Sequence, residues 1–378
     1  MRISIAMATY NGERYVREQL ESLGAQTRMP DELVVRDDGS TDGTVEILRA
    51  FARAAPFPVR VYPGECNLGY TRNFLEAARL CTGDWIAFCD QDDVWLPEKL
   101  ATIERYATTE RCAAGGGTLL IVHSAETVDR NLTPTRVRYP DFRRRGVYGQ
   151  FQLPTWWIVE GFVMAFRADL MSILPDEEQQ RPAALPPMPR GHDAAICRLA
   201  RILGDVVVLP DRLALHRWHG ASLTTGGLAD DVRGIRRSRN LFRRLRKLLS
   251  ASGADLHLQQ SRDAASQAQI YRYLGERQNR EDWRRKLLLA ETHYSAFSEW
   301  MATRARLCEE PSFWRRLGHL LRLAGGYARF SGSSLIGIRA CAKAISLDVI
   351  VVLTGPDRFS RAPVDETVAA GRDRSPDR

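Results

Sequence analysis

Apolar and polar positions along the first hundred residues follow the periods of strands and helices in turn. Short apolar runs predict strands over residues 2–8, 32–36, 58–62 and 85–89. Between these runs, apolar residues recur at helical spacing over residues 13–26, 43–54 and 70–80. Because strands that alternate with helices are typical of a parallel sheet, the pattern predicts an α/β fold.

The pattern loosens beyond residue 100. It predicts a helix that opens at Gly191-His192-Asp193 and further strands over residues 118–123, 158–166 and 206–209, of which the second is long and buried. Five prolines fall within residues 175–190, which predicts a loop. A helical pattern then runs from about residue 230 to 353, and the Pro-, Asp- and Arg-rich residues 355–378 are predicted to be disordered.

Charge divides the chain into an acidic and a basic part. The formal net charge is +8, yet residues 1–100 hold 11 Lys and Arg against 16 Asp and Glu. Eight basic and no acidic residues lie between Arg233 and Lys247, interleaved with apolar residues, which is typical of a basic amphipathic helix. Such a segment fits an anionic membrane surface, a nucleic acid or a plain solvated helix face.

The cysteines and the apolar stretches indicate the cellular compartment and whether a signal peptide or a membrane span is expected. The seven cysteines include no C-x-x-C pair, which disfavours a zinc site and fits reduced thiols in a cytoplasmic protein. The first apolar run, Ile3 to Ala8, is shorter than the core of a signal peptide, so none is expected. The run from Leu335 to Leu353 contains three charged residues, so no membrane span is expected there either.

Two acidic clusters follow predicted strands, at the sheet edge where open α/β sheets bind ligands. Asp37-Asp38 suits a turn with a helix cap, or a carboxylate that accepts hydrogen bonds from a base or ribose. Asp90-Gln91-Asp92-Asp93 places three carboxylates within four residues, where they repel one another unless a cation balances them. Mg²⁺ or Mn²⁺ suits such oxygen ligands. Because apolar residues flank this cluster, we favour a metal site over a solvated acidic loop.

Four blocks of sequence resemble family 2 glycosyltransferases with the GT-A fold. They are Ser4 to Gly12 (SIAMATYNG), Val34 to Asp42 (VVRDDGSTD), Asn67 to Phe74 (NLGYTRNF) and Phe88 to Leu100 (FCDQDDVWLPEKL). Their details look most like the rhamnosyltransferase-type subgroup of bacterial polysaccharide assembly, and the resemblance continues more weakly to about residue 225. It implies an α/β fold with a GT-A-type, Rossmann-like mixed sheet flanked by helices and followed by a C-terminal helical region.

The resemblance also assigns a donor site. It implies that the nucleotide base lies over Thr9, Tyr10 and Asn11 and against Asp38, with Asp37 as the alternative, and that the ribose or diphosphate lies near Asn73. Asp92 is expected to be the main metal ligand, and Asp90 is expected to contact the ribose or sugar. Asp93 can take the place of either, because a run of three acidic positions leaves the register open.

Gly191-His192-Asp193 carries the expected catalytic base. An acceptor hydroxyl must lose its proton as it attacks C1 of the donor sugar. The resemblance implies that Asp193 takes this proton and that direct displacement inverts the anomeric centre. A helix N-cap is the structural alternative for Asp193. His192 either assists the base or is structural.

The segment from Leu215 to Gly220 resembles a segment of the same subgroup. Arg217 and His219 lie two residues apart, so they face the same side of an extended chain. They are expected near the diphosphate, where cations stabilise the charge of the leaving group, with His219 also at the metal. An acceptor site is expected along Trp156, Trp157 and Glu160, with core packing as the alternative for both tryptophans.

The predicted organisation is a catalytic domain over residues 1–228, whose first hundred residues bind the nucleotide and whose remainder binds the acceptor, then a helical region over residues 229–354. The expected donor is dTDP-L-rhamnose, with a UDP-hexose as the alternative, and the acceptor is a glycan or a polyprenyl-linked glycan. We expect a cytoplasmic protein, peripheral on the inner face of the membrane through Arg233–Lys247, with no nucleic-acid partner.

Two other classes of function compete with this prediction. A nicotinamide dehydrogenase would share the α/β sheet, but Thr9-Tyr10-Asn11-Gly12 stands where G-x-G-x-x-G would follow the first strand. A non-catalytic nucleotide-sugar or nucleic-acid binding protein needs neither a base nor clustered carboxylates, and the sequence offers candidates for both.

Overall fold

The computed structural model describes residues 1–108, 117–155, 157–174, 191–219, 251–331, 344–346, 348–349 and 351–353. Four predictions lie outside the described residues: those for Trp156, for the loop at 175–190, for Arg233–Lys247 and for the tail at 355–378.

Ten strands of the described part form one mixed sheet. They are β1 (Ile3–Thr9), β2 (Glu32–Asp37), β3 (Val59–Pro63), β4 (Trp85–Cys89), β5 (Val94–Trp95), β6 (Thr118–Val128), β7 (Pro134–Arg138), β8 (Gly146–Tyr148), β9 (Met164–Arg167) and β10 (Asp205–Arg217). Their order is β3-β2-β1-β4-β9-β6-β10-β5, with β7 on β6 and β8 on β10. β1 to β4 are parallel to their neighbours in that half of the sheet, whereas β9 is antiparallel to both β4 and β6.

Among the described residues, five helices accompany the sheet: α1 (Val16–Gly24), α2 (Thr44–Ala54), α3 (Tyr70–Arg79), α4 (Lys99–Ala107) and α5 (His192–Leu203). The predicted apolar face of α1 is buried, through Val16, Leu20 and Leu23. Every residue of β1 and β4 is buried, as in parallel strands covered on both faces. The predicted fold class, a mixed α/β sheet flanked by helices, is therefore confirmed.

The strand predicted over residues 158–166 is wrong for its first six residues. Gly161–Val163 form a 3₁₀ turn, and only the residues of β9 pair within the sheet. The apolar run is nevertheless buried, from Gly161 to Phe166. Apolarity correctly predicted burial here, but the 3₁₀ turn interrupts the extended chain.

β6 and β10 are longer than predicted. They end at Val128 and Arg217, and they pair in parallel over most of their length. Pro210 and the polar residues after it interrupt the apolar pattern of β10. They coincide with shifts in its register against β6, and such irregular positions tolerate proline. The extension brings His216 and Arg217 to the same edge of the sheet as the acidic loop that follows β4.

The predicted C-terminal helical region is confirmed where it is described. It contains α6 (Ala251–Arg277), α7 (Glu281–Glu309) and α8 (Phe313–Ser331), and the described residues between 344 and 353 are also helical. Among these described helices, none combines the length and apolar character that a bilayer crossing requires.

Buried polar contacts join this helical region to the sheet domain. The guanidinium of Arg201 in α5 is buried and donates hydrogen bonds to the carbonyl oxygens of Pro154 and Thr155 and to the Tyr294 hydroxyl of α7. The Thr155 amide in turn donates to the carbonyl of Phe330 in α8, at 3.3 Å. The helix that begins at His192 is thereby fixed to α7 and α8.

Candidate active site

The candidate site lies where β1, β2 and β4 end. Thr9 pairs with Asp37 in the parallel register of β1 and β2, and β4 ends at Cys89 beside Met7 of β1. Carboxyl ends of parallel strands share one edge of a sheet, so Asp37, Asp38 and the loop at residues 90–93 meet there.

Asp37 and Asp38 are buried and hold backbone loops. Asp37 accepts hydrogen bonds from Thr9 Oγ1 and from the Ser40 amide, both at 2.8 Å. Asp38 accepts from the backbone amides of Leu68 and Gly69, at 2.8 and 2.9 Å. Both carboxylates therefore order the rim of the site. The base contact expected of either residue stays a prediction.

Asn73 is also buried and connects two strand ends. Its Nδ2 donates to the carbonyls of Arg36, at 2.9 Å, and Thr9, at 3.3 Å, while its Oδ1 accepts from Arg36 at 2.8 Å. The structure thus places Asn73 beneath the rim, as a support for β1 and β2, rather than on an open surface facing the ribose or diphosphate.

Exposed side chains line the rim above these supports. Tyr10 is 47% exposed, and Asn11 adopts a left-handed backbone (φ 46°) while its Oδ1 accepts from the Thr41 amide at 2.9 Å. Tyr70, which sequence reasoning did not single out, is 51% exposed at the start of α3 and meets the His192 ring edge-on. Tyr10 and Tyr70 are therefore the aromatic faces available to a nucleotide base.

Gln91 fastens the acidic loop to the loop after β1. Its Oε1 accepts from the Tyr10 amide at 2.9 Å, and its Nε2 donates to the Tyr10 carbonyl at 3.0 Å. A Cβ atom at Gly12 would lie 2.2 Å from Gln91 Oε1, so a glycine is required for this approach. The polar residue between the carboxylates thus sets the distance between the two loops.

Asp93 is fully buried and paired with β10. Its Oδ1 accepts from the Arg217 amide and contacts His216 Nδ1, both at 3.0 Å. Although burial opposes it, the Asp93 carboxylate raises the pKa of His216 to about 9, so His216 is protonated at neutral pH. The metal role expected of Asp93 does not match this position, since the side chain is directed into the protein.

Three other side chains at this edge of the sheet are half-buried: Asp92, His219 and Asp90. Asp92 Oδ2 lies 2.7 Å from His219 Nε2, and the His219 ring packs on Tyr15. Asp90 is half-buried, and no hydrogen bond reaches its carboxylate from the rest of the described chain. Burial, then the neighbouring Asp93 and Asp92, raise the pKa of Asp90 well above its ordinary range.

This arrangement fits a divalent cation that is shared with a substrate. Within the described residues, no group of three or more His, Cys, Asp or Glu side chains could hold a metal ion by itself. Mg²⁺ and Mn²⁺ commonly take one or two protein carboxylates and complete their shells with phosphate oxygens and water. Asp92 and Asp90, with His219 beside them, offer that partial set, and a cation would relieve the repulsion that burdens Asp90.

Arg217 does not face an open diphosphate site as expected. Its side chain is 1% exposed and donates to the carbonyls of Asp92, at 2.8 Å, and Arg130, at 2.7 Å, and to the Glu18 carboxylate. The guanidinium also lies over the Tyr15 ring. The role that the structure gives Arg217 is to hold the backbone of Asp92 in place.

Asp193 lies in the first turn of α5, near the acidic loop. Its Oδ1 accepts from the Ala194 amide at 2.7 Å, and Gly191, not Asp193, is the N-cap residue. Burial, with a smaller contribution from Glu160, raises the pKa of Asp193 to about 6. Asp193 also adds to the raised pKa of Asp90, so the two carboxylates share one electrostatic environment.

His192 is packed between aromatic rings. It stacks on Phe74 with ring centroids 4.0 Å apart and meets Phe88 edge-on at 4.7 Å. Neither ring nitrogen has a hydrogen-bond partner in the described structure, and burial lowers the pKa of His192 to about 3. His192 is therefore neutral and positions the first turn of α5 through packing.

The expected acceptor residues divide into two kinds. Trp157 is only 8% exposed and belongs to the hydrophobic core, so the packing alternative describes it, and Trp156 lies outside the described residues. Glu160 is half-buried and accepts a hydrogen bond from the Tyr139 hydroxyl, close to Asp193. Glu160 is therefore placed near the candidate base.

Known proteins resemble the N-terminal part of this chain. Residues 4–168, somewhat less than half of the chain, match the family model described as Glycosyl transferase family 2. An uncharacterized glycosyltransferase of Nostoc sp. is 28% identical over 228 residues, covering 59% of this chain and 66% of the relative. A dTDP-rhamnosyl transferase of Shigella flexneri is 36% identical over 98 residues, covering 25% of this chain and 34% of the relative.

The chain spans about a third of the length of several curated relatives that it matches. Among solved structures, S. aureus TarS 1–349 in complex with UDP-GlcNAc aligns over 91% of this chain and 92% of that chain, with 17% identity and a TM-score of 0.46. The family model and the relatives support a transferase, and the rhamnosyltransferase subgroup stays a prediction.

Proposed function

We propose that this chain is an inverting, metal-dependent glycosyltransferase that moves a sugar from a nucleotide-diphosphate donor to a glycan or polyprenyl-linked glycan. One observation carries the proposal. A carboxylate with a pKa of about 6, Asp193, shares its surroundings with the acidic loop of Asp90 and Asp92 at the ligand-binding edge of the sheet. A binding protein without catalysis needs no such base.

The donor binds by its base against Tyr10 and Tyr70, the exposed aromatic side chains of the rim. Gln91 fixes the Tyr10 backbone to the acidic loop, so the base and the diphosphate are held at a set distance. When bound, Mg²⁺ or Mn²⁺ supplies charge neutralisation at the diphosphate. Asp92 and Asp90 would hold the ion, and Arg217 keeps the Asp92 backbone in position.

Asp193 takes the proton of the acceptor hydroxyl. Its Oδ1 is engaged with the Ala194 amide, so Oδ2 is the oxygen available to the substrate. As the acceptor oxygen forms its bond to C1, the bond from C1 to the diphosphate oxygen breaks, and the proton moves to Asp193. Attack opposite the leaving group inverts C1. The raised pKa makes Asp193 a stronger base than an ordinary carboxylate, while leaving it ionised at neutral pH.

The donor that we propose first is dTDP-L-rhamnose, because of the subgroup resemblance and the Shigella relative, and a UDP-hexose is the alternative. Incubation with a panel of nucleotide sugars separates the two. We further propose residues 1–228 as the catalytic domain, a cytoplasmic location at the inner membrane face and a membrane contact through Arg233–Lys247, which flotation with anionic liposomes tests.

Hydrolysis of dTDP- and UDP-sugars with and without Mn²⁺ tests the chemistry. We expect turnover to depend on the metal and to be abolished in Asp92→Ala. Asp255→Ala removes an exposed aspartate of α6 and is the matched control, which should behave as the wild type. Full activity of Asp92→Ala would contradict the assignment of this site. Turnover that does not change with Mn²⁺ would contradict the metal dependence.

A further inference from the structure

One surface of the helical region is apolar, exposed and basic at its border. Trp314 is 75% exposed and Leu321 69% exposed, although most large apolar side chains of the described chain are buried. Both belong to α8, which is 19 residues long and contains four arginines and no acidic residue. By contrast, the neighbouring helix α7 contains five acidic residues.

Four positions of α8, three of them exposed and Gly318 half-buried, form one stripe. Trp314, Gly318, Leu321 and Gly325 follow one another at intervals of four, three and four residues, which places them on the same side of a helix. A Cβ atom at Gly318 or Gly325 would meet nothing within 4 Å, so this side of α8 is open along its length. We call these four residues the α8 stripe.

The opposite side of α8 is packed. Arg316, Leu323, Tyr327 and Phe330 are buried against the rest of the helical region. Trp300 of α7, for example, donates its indole N–H to the Leu323 carbonyl at 3.1 Å. The α8 stripe is therefore not an unfinished part of the core, because α8 is already held by its other face.

Three arginines border the stripe on one side. Arg315, Arg322 and Arg329 recur every seven residues and are exposed, and within the described structure none forms an ion pair with a carboxylate. Arginine side chains next to an exposed apolar face suit the boundary between lipid headgroups and acyl chains, where the apolar face enters and the guanidinium binds phosphate.

The described residues 351–353 add to this surface. Arg316 Nε donates to the Val352 carbonyl at 3.2 Å, which fixes the last described residues to the start of α8. Leu353 is 69% exposed and Phe313 is 40% exposed at this end. Exposed apolar side chains from two segments therefore lie near the start of α8, where the Phe313 ring also meets Trp314 edge-on.

We propose that α8 is an interfacial helix that binds an anionic membrane surface through the α8 stripe and its bordering arginines. The occupant is a lipid surface rather than a second copy of the chain, because the three arginines along one border, which pair with no carboxylate of the described chain, would repel their equivalents in a symmetric dimer with antiparallel α8 helices. This contact is separate from the segment Arg233–Lys247, and it does not rest on the proposed chemistry.

Flotation of the full chain with phosphatidylcholine vesicles, with and without phosphatidylglycerol, tests the proposal. We expect binding to the anionic vesicles that weakens with salt. The pair Trp314→Ala and Leu321→Ala should lower binding about tenfold or more, since each removes apolar area from the contact. Arg315→Glu with Arg322→Glu should also lower it by at least about tenfold, because each basic residue contributes about fivefold near an anionic surface.

Matched controls lie on α7. Leu289→Ala removes an exposed leucine and Arg285→Glu reverses an exposed arginine, and both should bind vesicles as the wild type does. Unchanged nucleotide-sugar hydrolysis and circular dichroism show that the α8 variants are folded, and binding is measured without substrate, so failure of the chemistry does not affect the result.

Three outcomes would overturn the proposal. The first is wild-type vesicle binding by both α8 variants while Arg243→Glu with Arg244→Glu abolishes it, which would assign all binding to the other segment. The second is no vesicle binding by the wild type. The third is a dimer in light scattering that Trp314→Ala with Leu321→Ala converts to a monomer, which would make the stripe a self-association surface.

Discussion

Gly161→Ala tests how the first turn of α5 is positioned. A Cβ atom at Gly161 would lie 2.6 Å from His192 Nε2, closer than real side chains approach. The imidazole cannot easily give way, because it stacks on Phe74 with centroids 4.0 Å apart and meets Phe88 edge-on at 4.7 Å. The substitution therefore separates α5 from the turn at Gly161–Val163.

The expected magnitudes follow from that overlap. Restoring an ordinary contact of 3.4 Å from 2.6 Å requires a shift of 0.8 Å. Overpacking of this kind lowers the free energy of unfolding by about 1–3 kcal/mol. Because Asp193 follows His192 directly, we expect the base to move with the turn, and a misplacement of about 1 Å lowers turnover by about 100-fold.

Urea denaturation and donor turnover measure the two effects. Gly318→Ala is the matched control: it adds a Cβ atom where nothing lies within 4 Å, so it should be neutral or stabilise by up to about 1 kcal/mol. In a His192→Ala background the overlap is gone, and Gly161→Ala should then cost less than about 0.5 kcal/mol. The same cost in both backgrounds would refute the reasoning.

Three further predictions concern the base, the rim and the helical region. Because burial raises the pKa of Asp193 to about 6, kcat/KM should fall as pH drops below about 6, and Asp193→Asn should lose about 100- to 10,000-fold in kcat. Gln91→Ala frees both backbone groups of Tyr10, so the KM for the donor should rise, as kinetics and titration calorimetry of donor binding would show. Urea denaturation should show little loss of stability. Asp348→Asn weakens the buried bidentate pair with Arg304 and should lower the free energy of unfolding by about 3 kcal/mol in urea.

For each of these three predictions, one result would contradict it. Protonation of Asp193 makes its contribution to folding more favourable, since the pKa is higher in the folded state, so folded but inactive protein is expected at pH 5. An acid limb that coincides with unfolding would contradict the assignment. An unchanged donor KM in Gln91→Ala would contradict the proposal that Gln91 positions Tyr10 for the donor. Equal losses of unfolding free energy in Asp348→Asn and in the exposed control Glu299→Gln would contradict the stabilising role of the buried pair between Asp348 and Arg304.

Much of the fold was predictable because its central strands are buried on both faces. β4 is an uninterrupted apolar run and β1 is apolar except at Ser4 and Thr9, and the structure places the two strands next to each other in the parallel half. β5 has two residues and β8 three, too few to show any period. β7 alternates between exposed and half-buried residues, so no apolar run marks it.

In the candidate site, local sequence predicted which residues carry charge but not what surrounds them. The partners of Arg217 and Asp93 come from distant parts of the chain: Glu18 lies 199 residues from Arg217, and His216 lies 123 residues from Asp93. No pattern around Glu18 indicates this contact. The inward direction of Asp93, Asn73 and Arg217 could be found only from the folded sheet.

The hydrogen bonds of Arg201 join the two regions on either side of the domain boundary predicted at residue 228. A chain cut there would lose the Tyr294 hydroxyl and leave the buried guanidinium of Arg201, which belongs to the helix that begins at His192, short of one partner. The helical region is therefore part of one cooperative unit with the sheet, and calorimetry should show a single unfolding transition. Exchanging this region between relatives, as if it were a module, would alter the position of α5 and with it the candidate active site.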